Sequence, residues 1–169
     1  MKITLYMAMT TNGMIAKEND DVSFVSPDSW KRYQKAVDST DCIIIGRRTY
    51  ELMPETEFNQ SKKYVVITHQ KDLLKKTQNV MFTANNLSTL IKNLSKEKIK
   101  NILISGGSQI NFLFMKAGLI DEIYLDIEPI ILGKGIKLFA DAKFETKLEL
   151  IGIKKLSKDE VQLHYKVKN

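Results

Sequence analysis

The chain has 169 residues, 43% of them hydrophobic and 27% charged, and a formal net charge of +6. This is ordinary globular composition at the size of a single domain spanning residues 1–169, and it excludes disordered and fibrous classes. No apolar run approaches the roughly 18 to 20 residues of a membrane span. One cysteine, Cys42, excludes an intramolecular disulfide, and with only His69 and His164 beside it no zinc site of ordinary type can form, so no metal is expected. A reducing cytoplasm fits the lone cysteine. Acids interrupt most lysine groups and no basic stripe carries interleaved aromatics, so neither nucleic acid nor membrane is an expected partner.

Residues 2–9 alternate as a strand that meets Asn12-Gly13, a turn signal. Ser26-Pro27 starts a helix, with serine as N-cap, proline in the first helical position, and Trp30, Tyr33 and Val37 on one face. "CIIIG" is a fully apolar strand of the buried kind, followed by a short helix over "RRTYELM". "KYVVITH" predicts a strand, residues 71–76 a helix, "NVMFTA" a strand and residues 87–96 a helix. "NILIS" is a second buried strand, followed by Gly106-Gly107, a helix and the strand "DEIYLDIEPI". In the tail, "KLELIGIKKL" and "VQLHYKV" alternate about "SKDE" as an antiparallel hairpin. The pattern is α/β, a mostly parallel sheet closed by an antiparallel C-terminal edge.

In such a sheet ligands bind beyond the carboxyl ends of the strands. Three of those ends carry informative loops: Gly46-Arg47-Arg48-Thr49, Thr68-His69-Gln70-Lys71 and Ser105-Gly106-Gly107-Ser108. The first and third each open a helix whose free N–H groups favour an anion. Gly106 and Gly107 would let a diphosphate touch the backbone. Arg47 and Arg48, with Thr68, could hold a second phosphate by charge-assisted bonds. Two separate anion sites are what a phosphorylated dinucleotide requires. Taken alone, the diglycine is also compatible with a bare tight turn, and "GGSQIN" lacks the G-x-G-x-x-G of a Rossmann fingerprint.

Three segments together resemble the dihydrofolate reductase-like family, most closely its riboflavin-biosynthesis pyrimidine reductase branch. They are "AMTTNGMIA", "FVSPDSWKRYQKAVDSTDCIIIGRRTY" and "ISGGSQINFLFMKAGLIDEIYLDIEPIILGKGIKLF", which cover most of residues 5–139. The resemblance implies a three-layer α/β/α fold and an NADPH-dependent reductase acting on a small heterocycle. By position, it implies that the backbones of Ala8 and Ile15 hold the nicotinamide carboxamide. Gly46, Arg47, Arg48, Thr49 and Thr68 would face the adenosine-phosphate side, and Gly106, Gly107, Ser108, Gln109 and Ile110 the diphosphate. Related reductases often pair, so a homodimer is expected. Asn12 stands where the branch has aspartate, and Trp30 and Val37 where it tends to carry arginines suited to a sugar phosphate. The second departure points to a less charged substrate.

For the substrate side, Asp28 on the first helix is one acidic candidate. Its alternative reading is a dipole-favouring carboxylate paired with Arg32 four residues on. Asp126 is the other. Alternation puts Tyr124, Asp126 and Glu128 on one strand face, where the resemblance places the substrate pocket, and a carboxyl there could bind an amino-substituted ring or relay a proton. The alternative is a charge on a polar strand face. Trp30 and Tyr33 are candidate pocket aromatics, or core. Within this reading stand two alternatives, a true dihydrofolate reductase and a non-catalytic nucleotide-binding protein on the same fold.

Overall fold

The computed structural model describes residues 1–54, 56, 58–70, 79–141 and 143–168. Its elements in chain order are β1 (Lys2–Thr10), β2 (Met14–Ala16), α1 (Pro27–Asp38), β3 (Cys42–Gly46), α2 (Arg47–Leu52), β4 (Lys63–Ile67) and β5 (Val80–Thr83). There follow α3 (Leu87–Lys96), β6 (Asn101–Ile104), α4 (Ser108–Lys116), β7 (Glu122–Glu128), β8 (Ile136–Lys137), β9 (Lys147–Lys155) and β10 (Val161–Lys168). The helix expected at residues 71–76 lies outside the described residues. Among the described residues no helix is long and apolar enough to cross a membrane.

The main sheet has eight strands in the order β5-β4-β3-β6-β1-β7-β10-β9. All pairs from β5 to β7 are parallel, and β10 joins β7 and β9 antiparallel, so the expected α/β sheet with an antiparallel C-terminal hairpin is the one observed. Two cores flank it. On one face Leu5, Ile44 and Ile104 pack against Leu90 of α3 and Phe114 of α4. On the other, Tyr6, Ile43, Ile45 and Leu103 pack beneath Val37 of α1, with Tyr50 of α2 against them. The three isoleucines of "CIIIG" thus feed both cores, which is why this strand is apolar without alternation. Cys42 is part of the packing, and burial pushes its thiol up to about 12, far from reactivity.

The local starts follow the expected chemistry. Ser26 Oγ accepts from Ser29 N at the head of α1, and Asn86 Oδ1 accepts from Thr89 N at the head of α3. Gly13 turns the chain from β1 into β2 with φ +86°, a conformation that favours glycine. Beside it Asn12 donates Nδ2–H to Leu132 O and accepts Leu132 N–H on Oδ1. An aspartate could do only the second, so the amide ties this turn to the segment that forms β8. The β2–β8 ladder, a separate two-stranded sheet, has no counterpart in the sequence reading.

One mismatch of strand lengths positions everything that follows. Strand β6 ends at Ile104, paired with Leu5, whereas β1 runs on to Thr10. Past Leu5 the sheet is therefore split between β1 and β6, and a cleft opens at the carboxyl ends of the central strands.

Candidate functional site

The cleft has a volume of about 1090 Å³. One wall is built where β3 and β6 end together. Ser105 N donates to Ile44 O (3.1 Å) and Gly46 N donates to Gly106 O (2.9 Å), so the loop before α2 and the loop before α4 meet side by side. Gly46, Arg47, Arg48 and Thr49 line the cleft from the first loop. Gly106 to Ile110 line it from the second. Ala8 and Ile15 line it from β1 and β2. All the residues expected on the cofactor side come together here except Thr68. That residue follows Ile67, which lines the cleft at the end of β4, but is itself buried, its N–H on Thr83 O and its hydroxyl accepting from Gln70 N.

The glycines answer to local demands. Gly106 has φ +87°, and a Cβ there would also meet the Met7 thioether at 3.4 Å. Gly46 is pressed by Ile110, whose Cγ1 would lie 3.1 Å from an added Cβ. Gly107 is the N-cap of α4 and leaves that helix start without a side-chain cap. The first-turn N–H groups therefore face the cleft with no side chain of their own laid over them. The two arginines of the other loop are ion-paired: Arg47 with Glu51 at 2.6 Å, and Arg48 Nε with Asp20 at 2.7 Å. Both pairs lie at the surface, where such contacts contribute little and can be exchanged for a ligand's phosphate.

The opposite wall is aromatic. Trp30 and Tyr33 line the cleft from α1, edge to face with centroids 5.9 Å apart, and Tyr33 continues onto Tyr6 of β1. Ser105 Oγ donates to Tyr33 Oη at 2.9 Å and links this wall to the diglycine loop. Tyr124 stacks behind Tyr6 and against His164, without lining the cleft itself.

Neither acidic candidate lines the cleft. Asp28 is exposed, and its ion pair is with Lys31 at 3.4 Å rather than with Arg32. Arg32 instead turns inward, its Nε buried, toward the charge of Asp126. Asp126 is fully buried, because α1 covers the strand face that alternation marks as polar. Its Oδ2 accepts from Tyr6 Oη and its Oδ1 from Gln162 Nε2, both at 2.7 Å. Burial pushes its carboxyl above the ordinary aspartate range against the opposing effect of those bonds and of Arg32. Burial and the Asp126 charge likewise raise the Tyr6 phenol.

Sequence reasoning missed the neighbours of this group. Ser29 is 2% exposed and forms part of the cleft wall, and Glu128 and Glu160 are buried beside Asp126. Glu128 carried a signal, since it shares the strand face of Asp126. Ser29, one residue before Trp30 on an amphipathic helix, carried none.

Known proteins share this architecture. The uncharacterised protein YwjB of Bacillus subtilis (strain 168) is 35% identical over 171 residues, covering 97% of each chain. Among solved structures, a Thermotoga maritima diaminohydroxyphosphoribosylaminopyrimidine deaminase/5-amino-6-(5-phosphoribosylamino)uracil reductase superposes with a TM-score of 0.80 at 16% identity. The match covers 99% of this chain and 56% of that one. The dihydrofolate reductase of Enterococcus faecalis, complexed with NADP(H), superposes with a TM-score of 0.74 at 16% identity, covering 99% and 97% of the two chains. The fold is thus dihydrofolate reductase-like. Residues 1–162 match the RibD C-terminal domain, and the chain belongs to that family.

Proposed function

We propose that this protein is a cytoplasmic NADPH-dependent reductase acting on a C=N or C=O bond of a pteridine- or pyrimidine-like heterocycle. The observation that carries the reading is the cleft itself. The diglycine and the uncapped start of α4 stand on one side, an aromatic wall on the other, and between them lies the part of β1 beyond its pairing with β6. An NADPH molecule fits the residues present. The N–H groups at Gly107 to Gln109 would take the diphosphate, Arg47 and Arg48 the additional phosphate, and the open backbone around Ala8 the carboxamide. Bound there, it supplies a hydride at the nicotinamide ring. Trp30 and Tyr33 would stack a flat ring against it.

The α1 wall favours an uncharged heterocycle over a sugar phosphate, because Trp30 presents an aromatic face rather than a cation. The exposed, Lys31-paired Asp28 argues against a true dihydrofolate reductase, for which the resemblance called for a carboxylate from the first helix.

Cofactor choice tests the phosphate assignment. Arg47→Ala is expected to weaken NADPH binding by about tenfold, the worth of one charge-assisted bond, and to leave NADH binding unchanged. Titrations of both nucleotides measure this. An equal loss for both, or none for either, would remove Arg47 from the account.

A further inference from the structure

Strand β9 is an outer edge of the eight-stranded sheet and pairs only with β10. Its other side turns a row of backbone N–H and C=O groups toward no strand, a template for pairing with another chain. The same strand carries Leu148, Leu150, Ile151 and Ile153, from 40% to 64% exposed, whereas no other described element carries more than one exposed large hydrophobic residue. A contiguous apolar surface of this kind marks a contact site. Leu148, Leu150 and Ile153 stand opposite Val167, Tyr165 and Leu163 of β10. Those three belong to the core that packs against α3 and α4, so the exposed trio shares that face at the end of the sheet. Glu149 and Lys154 stand opposite Lys166 and Gln162 and share the other face.

A bulge makes this pattern symmetric. The register shifts between His164 and Tyr165, which leaves Ile151 as an extra residue between Leu150 and Gly152. Counted outward from the Ile151–Gly152 bond, the faces then read alike in both directions. Leu150 and Ile153 lie on one face, Glu149 and Lys154 on the other, and Leu148 and Lys155 on the first again. We propose that two copies of this chain associate through β9, antiparallel about a two-fold axis at that bond, so that their sheets join into one. Leu150 then lies beside the partner's Ile153, and Glu149 beside the partner's Lys154, each contact made twice. Within its own chain Glu149 reaches Lys168 at 3.7 Å, an exposed contact worth little. At the axis Gly152 meets the partner's Ile151, and with nothing within 4 Å of an added Cβ there the larger side chain has room. A shift of one residue either way sets side chains of opposite faces against each other. A shift of two removes the Glu149–Lys154 pair. Strand β9 contributes no residue to the cleft, so association is independent of the reductase reading.

Sedimentation over a series of protein concentrations tests the pairing. Wild-type protein is expected at twice the chain mass. Ile153 is among the exposed residues, so Ile153→Lys is expected to fold, to melt as wild type does and to sediment as a monomer. Lys154→Glu and Glu149→Lys each set like charges opposite one another at both ends of the seam. Each alone should raise the dissociation constant by about tenfold. Mixed in equal amounts, the two variants regain both pairs and should return to wild-type affinity as a heterodimer. A wild-type protein that stays monomeric at every concentration overturns the proposal. So does a dimer that Ile153→Lys leaves intact, and so does a mixture of the two charge variants no tighter than either alone.

Discussion

Gly107→Val is expected to fold and to bind NADPH at least about 10²-fold more weakly than wild type. Gly107 has φ −75° and ψ −164°, extended backbone open to any residue, and its added Cβ would only touch Thr49 Oγ1 at 3.4 Å. The backbone cost is therefore small, within about 1 kcal/mol for a poorer N-cap. The branched methyls, however, would stand over the first-turn N–H groups of α4. Each charge-assisted bond lost there is worth about 1.5–3 kcal/mol, and two of them amount to a factor of about 10² or more. Gly106 is the wrong residue for this experiment, since its φ of +87° makes any side chain strained and mixes folding with binding. A thermal melt paired with a titration checks both halves. Unaltered affinity in a folded Gly107→Val protein would mean that the diphosphate lies elsewhere.

Gly135→Ala is expected to do the most damage to the fold. A Cβ at Gly135 would lie 2.6 Å from the carbonyl oxygen of Ala16 and 3.3 Å from Met14 Cβ. The oxygen belongs to backbone that pairs with β8, so it cannot rotate aside, and β2 and β8 must separate. Overpacking of this kind costs about 1–3 kcal/mol, which in a chain of this size lowers Tm by about 2–4 °C for each kcal/mol. Ile15, Ala16 and Ile136 line the cleft, so nucleotide affinity should fall as well. Gly133, in the same loop, has nothing within 4 Å of an added Cβ. Gly133→Ala is the matched control and should melt within about 1 °C of wild type, since surface changes away from packing are usually within about 0.5 kcal/mol.

The parts of the site legible in the sequence are those whose chemistry is local. A strand that stops at glycine, followed by a helix start, marks a loop at the carboxyl edge of the sheet, so the place of Gly46 to Thr49 and Gly106 to Ile110 on the cleft was readable. Thr68 sits in a similar loop and was read the same way; β4 reaches the cleft through Ile67, but Thr68 is buried with its N–H on Thr83 O, a pairing set by strand order, which is a non-local property. The face of Asp126 followed from alternation, whereas its burial depends on where α1 lies across the sheet. Strand β8 is two residues long, and its pairing with β2 joins segments about 120 positions apart. No periodicity can signal that.

Trp30 is the only tryptophan in the chain and stands in the cleft wall. Excitation of its indole during titration with NADPH reports whether a reduced nicotinamide arrives beside it. The account predicts saturable quenching of Trp30 emission with sensitised nicotinamide fluorescence, lost in Gly107→Val. Emission unchanged up to millimolar NADPH in the wild-type protein would contradict it, and the diglycine would then be a turn and nothing more.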